Sequence, residues 1–257
     1  MTTTTAPTPS TPTPTHSRVG TTALTALAPA VWGTTYLVTT EFLPAGHPLF
    51  AALMRALPAG LIGLLIARRL PAGSWWWKAV VLGTLNIGIF FPLLFVAAAR
   101  LPGGVAATLG AASMGTGVIL VKRWGLPPGI GPVGFASWQL SAGGLVLLLP
   151  TLLIEGVPAH VDAPGITGYL WLGGIGGLLA YALWFRGLGR LPVTATALLG
   201  LLSPLVAAGL GIVFAGESLN VAQVAGFVLA LAALACGQLT PTIITRTTNP
   251  AEKETAA

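Results

Sequence analysis

The chain has 257 residues, of which 54% are hydrophobic and only 7% are Asp, Glu, Lys or Arg. A water-soluble globule of this length carries roughly a quarter charged residues, so a surface that faces water all round is excluded. The net charge of +6 sits in the connections between apolar blocks rather than along one basic stripe, and no nucleic-acid partner is expected.

In chain order, Met1–Ser17 is built almost wholly of Thr, Pro, Ser and Ala, and residues 1–18 read as a disordered tail with nothing apolar to bury. The basic start of a signal peptide is missing from it. Apolar blocks of about 20 residues follow, each long enough to cross roughly 30 Å of hydrocarbon. They lack the alternation of a membrane barrel. Helices are therefore expected, because a helix satisfies its own backbone hydrogen bonds in lipid. Eight spans are placed: Val19–Thr40, Leu49–Ala67, Lys78–Ala99, Leu101–Val121, Pro132–Ile154, Ile166–Gly187, Pro192–Ala215 and Val221–Thr240. Residues 241–257 form a polar C-terminal tail. The fold class expected is an all-α membrane protein.

Orientation follows from Lys and Arg in the loops. With the N-terminus in the cytoplasm, Arg18, Arg68, Arg69, Lys78, Lys122, Arg123, Arg186, Arg190, Arg246 and Lys253 fall inside, and only Arg100 falls outside. Glu41, Glu155, Asp162 and Glu217 also fall outside. A multi-pass protein of the cell (inner) membrane with both termini cytoplasmic is the expectation.

The chain also repeats itself. At a shift of 90 residues Gly83 meets Gly173, Phe95 meets Phe185, and Arg100-Leu101-Pro102 meets Arg190-Leu191-Pro192. At a shift of 84, Pro48 meets Pro132 and Gly60-Leu61 meets Gly144-Leu145. Because the matched spans run in opposite directions, residues 19–110 and 111–240 read as two inverted halves, the first incomplete. Inverted halves are the usual basis of alternating access to a site at the midplane.

Several stretches resemble a known family. Trp32-Gly33-Thr34, Ala52–Arg55, Arg100-Leu101-Pro102 with Ala106-Ala107, Trp138-Gln139-Leu140, and Ala195–Glu217 closing on Gly216-Glu217 are similar to the EamA-type carriers of the drug/metabolite transporter superfamily. The resemblance implies two inverted five-helix repeats, ten spans, and transport of small metabolites, often export. This chain departs from that plan around Gly110, where the end of a fourth helix, a fifth helix and the start of a sixth are missing. A homodimer could fill the place of that segment.

Arg55 is the only charged residue well inside a span, and an intramembrane charge usually faces a cavity or a partner. Its repeat counterpart is Gln139. Trp32, Thr35, Tyr36, Asn86, Phe90, Tyr181, Trp184 and Ser203 lie at similar depth and suit a pocket for small organic solutes. The substrate-binding set expected is Trp32, Tyr36, Arg55, Asn86, Phe90, Gln139, Tyr181 and Ser203. Ser203-Pro204 is also a candidate helix break. Trp75-Trp76-Trp77 reads as an interfacial belt, and Gly173 with Gly177 as a close helix contact.

No carboxylate lies near a span centre, so facilitated movement or exchange is expected rather than tight proton coupling. The lone Cys236 and the scattered His16, His47 and His160 are not expected to form a metal site. No nucleophile–base pair can be assembled, so neither a cofactor nor an enzyme is expected. The function expected is a carrier of small organic metabolites or drugs, working as an exporter by alternating access. The alternative is a non-transporting membrane scaffold or an impaired short form of such a carrier.

Overall fold

The computed structural model describes residues 15–100 and 103–216, with isolated positions between 221 and 232. The described residues are helical apart from short connections. They comprise α1 (Thr15–Gly33), α2 (Thr35–Phe42), α3 (Pro48–Ala67), α4 (Trp75–Gly83), α5 (Phe90–Arg100), α6 (Gly103–Trp124), α7 (Pro132–Pro150), α8 (Ala163–Leu170), α9 (Ala180–Leu188), α10 (Val193–Gly200) and α11 (Leu202–Ala215). Three π-helical stretches continue these helices: Thr84–Ile89 joins α4 to α5, Trp171–Leu179 joins α8 to α9, and Thr151–Glu155 extends α7.

Among the described residues, four continuous helical runs are long and apolar enough to cross a membrane: Pro48–Ala67, Trp75–Phe95, Pro132–Glu155 and Ala163–Leu188. Apolar side chains also cover the outside of the bundle, with Leu65 75% and Leu153 74% exposed. A face so apolar is solvated by hydrocarbon, and the protein is an all-α membrane protein. Most of the eighth expected span lies outside the described residues. The first span is interrupted at Thr34, whose hydroxyl donates to the Val31 carbonyl at 2.7 Å. The expected break at Ser203-Pro204 falls at Leu201, which places Pro204 in the first turn of α11, where its missing N–H costs nothing.

At the centre, α3 and α7 cross antiparallel over their whole length. At one end the Thr151 hydroxyl donates to the Leu49 carbonyl at 3.2 Å. At the other, a methyl on Gly134 would stand 3.4 Å from Ala67 Cβ. Small residues set the spacing, as helix packing in lipid requires. A methyl on Gly60 would come within 2.4 Å of the Ser141 nitrogen, and one on Gly144 within 2.7 Å of Leu57 Cα.

These two contacts exchange under the shift of 84. Gly144 is the counterpart of Gly60, and Ser141 is the counterpart of Leu57. The exchange extends to the flanking helices. A methyl on Gly83 would stand 2.7 Å from the Gln139 carbonyl oxygen, while one on its counterpart Gly173 would stand 3.8 Å from the Arg55 carbonyl oxygen. Gly143 faces Ile87 as Gly177 faces Ala59, at would-be Cβ separations of 2.4 and 3.3 Å. Contacts that swap in this way are those of a local two-fold axis between α3 and α7.

Charges separate along the bundle. Lys78 stands over the Trp75 and Trp124 rings at 4.8 and 5.7 Å. Lys122 donates to the Leu188 carbonyl, and to that of Leu191 at 2.9 Å, closing the end of α9. The Trp138 indole donates to the Arg69 carbonyl at the same end. The opposite end carries the carboxylate of Glu155, which accepts from the Leu49 and Phe50 amides at 2.8–3.0 Å and caps α3. There Asp162 caps α8 through the Gly165 amide at 2.8 Å.

Trp75 does not stay with the interfacial belt. Trp76 and Trp77 are exposed, but Trp75 turns inward onto Phe135 and Trp138, at ring-centroid distances of 5.8 and 6.3 Å.

Candidate functional site

Arg55 lies near the middle of α3 and is only 2% exposed. Its Nη1 donates to the Thr35 hydroxyl at 3.0 Å, its Nη2 donates to the Gly176 carbonyl at 3.3 Å, and its guanidinium carbon stands 4.6 Å above the Phe91 ring. Its Nε–H has no partner among the described residues. A charge at this depth costs about 2.5–3.5 kcal/mol on insertion scales, and the cation–π contact offsets only part of that.

Close approach by glycine places these partners. Gly173 and Gly177 let the π stretch lie against the α3 backbone; a methyl on Gly177 would come within 2.8 Å of the Arg55 carbonyl oxygen. The Gly176 carbonyl between them accepts a second bond, from the Trp32 indole at 2.9 Å. The wide turn of a π-helix turns such carbonyls away from the helical ladder, and π segments recur at functional sites. Here Thr84–Ile89, shifted by 90, falls within Trp171–Leu179, so the two wide turns flank the centre from both sides.

Beside Arg55 is a second buried polar pair. The Asn86 side-chain amide donates to the Gln139 side-chain oxygen at 2.7 Å, while Asn86 Oδ1 and Gln139 Nε2 have no hydrogen-bond partner among the described residues. Both residues are buried. Tyr181 links the two groups. Its hydroxyl donates to the Asn86 carbonyl at 3.4 Å, and its ring lies 4.8 Å from that of Trp32 and 6.1 Å from that of Phe91. Unsatisfied buried donors and acceptors are costly, and three of those among the described residues lie in this one connected cluster.

The cluster therefore contains Trp32, Arg55, Asn86, Gln139 and Tyr181 from the expected set. The other three stand elsewhere. Tyr36 is 39% exposed, because its neighbour Thr35 faces Arg55. Phe90 is half-buried and meets the cluster only through Phe91, at a ring distance of 6.0 Å. Ser203 is half-buried and offers its backbone, against Gly33. Phe91 and Gly176 join the site without having been expected there. A repeated apolar pair such as Phe90-Phe91 gives no sign in the sequence of which ring turns inward.

A partly polar pocket of about 280 Å³ opens beside the cluster, at the end of the bundle that carries Glu155. Its walls include Thr39, Ala51, His47 and Phe95. Thr39, Ala51 and Phe95 each lie four residues from a member of the Arg55 group, namely Thr35, Arg55 and Phe91. Four residues are one helical turn, about 6 Å, so the pocket floor stands one turn from the guanidinium on three helices at once. A wholly apolar groove of about 330 Å³ between α3 and α8, lined by Met54, Ile62 and Tyr169 among others, opens sideways on the lipid-facing surface. Among the described residues no group of three or more His, Cys, Asp or Glu could hold a metal ion.

No solved structure matches this chain. The chain is 41% identical to Protein PecM of Dickeya dadantii (strain 3937) over 263 aligned positions, covering 80% of this chain and 88% of PecM. Residues 101–236 match the EamA-like transporter family. With apolar helical runs of membrane length around a buried polar centre, this places the chain in the EamA-like transporter family, as a helical membrane transporter of the drug/metabolite superfamily.

Proposed function

We propose that the protein carries a small organic solute across the cell (inner) membrane, as an exporter, by alternating access to the cluster around Arg55. The observation that carries this reading is the set of unpartnered buried polar atoms on Arg55, Asn86 and Gln139, one helical turn below a pocket open to one end of the bundle. The substrate-binding residues are Trp32, Arg55, Asn86, Gln139 and Tyr181, with Tyr36, Phe90 and Ser203 brought in as the helices shift.

The two inverted halves, residues 19–110 and 111–240, supply the motion. The local two-fold between α3 and α7 supports this, because a swap of the two halves' conformations would exchange the open end. The gathering of Arg69, Lys78 and Lys122 at one end supports cytoplasmic termini, with the pocket open to the outer side. Among the described residues no carboxylate takes part in the cluster, which supports facilitated or exchange transport over proton coupling.

Flux of radiolabelled organic solutes in proteoliposomes tests the proposal. Saturable flux in the wild type that falls at least tenfold in Arg55→Ala is the expected result. Equal flux in wild type, Arg55→Ala and empty liposomes would reject it.

A second reading, a short form without transport, rests on the alignment with PecM. Its 263 positions take in 80% of this chain, about 206 of 257 residues. The remaining positions must be gaps on this chain's side. A shortened seam near Gly110 would account for such gaps, and a second copy in a homodimer would then be the natural substitute for a missing helix. Absence of flux together with normal folding would favour this reading.

A further inference from the structure

We propose that the solute recognised at Arg55 is a small organic monoanion bearing a carboxylate. This rests on the reading that the Arg55 cluster is the solute site, and it adds the charge and the anchoring group. Arg55 brings a full positive charge into the bundle, and among the described residues no carboxylate forms an ion pair with it; its neighbours are a hydroxyl, a carbonyl and an aromatic face. Of the five N–H hydrogens of a guanidinium, two are used. The Nε–H and one hydrogen on each terminal nitrogen remain. A carboxylate is the group whose geometry two adjacent guanidinium hydrogens match.

The pocket above has the same preference. Among the described residues its walls contain no Asp or Glu, and His47 is the one ionisable residue on them. A cation would meet Arg55 with nothing to balance it. A dianion would overcompensate a single guanidinium. A monoanion instead makes the filled site electrically neutral, and a neutral pair is cheaper to enclose away from water than either lone charge. This also gives the solute a role in closure: the empty site resists being sealed with an unpaired charge, while the filled one does not. The volume of about 280 Å³ and the Phe95 ring on the pocket wall suit a compact acid with an apolar body.

Calorimetric titration of the full-length protein in lipid nanodiscs tests this, with acetate, hexanoate, phenylacetate and indole-3-acetate as acids. Phenylacetamide, phenethylammonium, chloride and phosphate serve as comparisons at matched ionic strength. At least one acid is expected to bind saturably, at least tenfold tighter than the amide and the ammonium. Arg55→Lys should weaken the acid but keep the order, and Arg55→Gln should abolish the order. Thr39→Phe, which fills the pocket and leaves Arg55 intact, should also weaken the acid, and it serves where Arg55→Gln does not fold. Amide or ammonium binding as tight as the acid would overturn the proposal. So would an unchanged order in Arg55→Gln, binding of inorganic anions alone, or binding of none of the four acids. Acid binding without flux in proteoliposomes would sink the transport reading and leave this one standing. Flux of a neutral or cationic solute that falls at least tenfold in Arg55→Ala, with no acid bound, would do the reverse.

Discussion

Trp32 and Arg55 share one acceptor. The indole and the guanidinium both donate to the Gly176 carbonyl, at 2.9 and 3.3 Å, and so tie α1 and α3 to the same wide turn. Trp32→Phe keeps the ring contact with Tyr181 and removes one bond. It should cost about 0.5–1.5 kcal/mol of stability, read as a lower unfolding midpoint in detergent, and reduce flux severalfold. An unchanged midpoint and flux would show that the shared carbonyl is incidental.

The glycines between α3 and α7 make a sharper test of packing. Gly60→Ala and Gly144→Ala each force a methyl against backbone and should destabilise by about 1–3 kcal/mol. Gly174→Ala is the control, since a methyl there meets nothing within 4 Å, and it should be neutral or slightly stabilising. Since Gly60 and Gly144 are counterparts, their two losses should be similar. Unfolding in mixed micelles that ranks Gly174→Ala with the other two would contradict the geometry.

Glu155 holds the other end of that crossing. Its carboxylate caps α3 through two backbone amides, where negative charge also favours the helix N-terminus. Glu155→Ala should cost about 0.5–2 kcal/mol, and Glu155→Gln, which keeps one acceptor oxygen, should cost less. Equal loss in both variants would mean that the charge, rather than the oxygen, carries the cap.

Much of the scaffold was legible because lipid imposes length: Pro48–Ala67 and Pro132–Glu155 stand close to where the apolar blocks put them. Depth was legible too, since a lone Arg55 among apolar residues, or Asn86 in a Gly-rich run, can hardly face hydrocarbon. Rotation was not. A span that is apolar all round has no polar face to mark its outside, so nothing separated Thr35 from Tyr36 or Phe91 from Phe90. The π stretches were hidden for a related reason. Trp171–Leu179 is set by how Gly173 and Gly177 seat on the α3 backbone, a tertiary contact with no local sequence sign. Trp75 left the interfacial belt because its first-turn position on α4 points at Phe135.

The most direct test of the account is impermeant thiol labelling of intact cells. It uses single-cysteine variants at Arg68, Lys122 and His47 in a Cys236→Ser background. The account predicts that His47→Cys reacts from outside, while Arg68→Cys and Lys122→Cys react only after the membrane is opened. Reaction of Arg68→Cys and Lys122→Cys from opposite faces would contradict the antiparallel threading on which the site, the pocket and the proposed transport all rest.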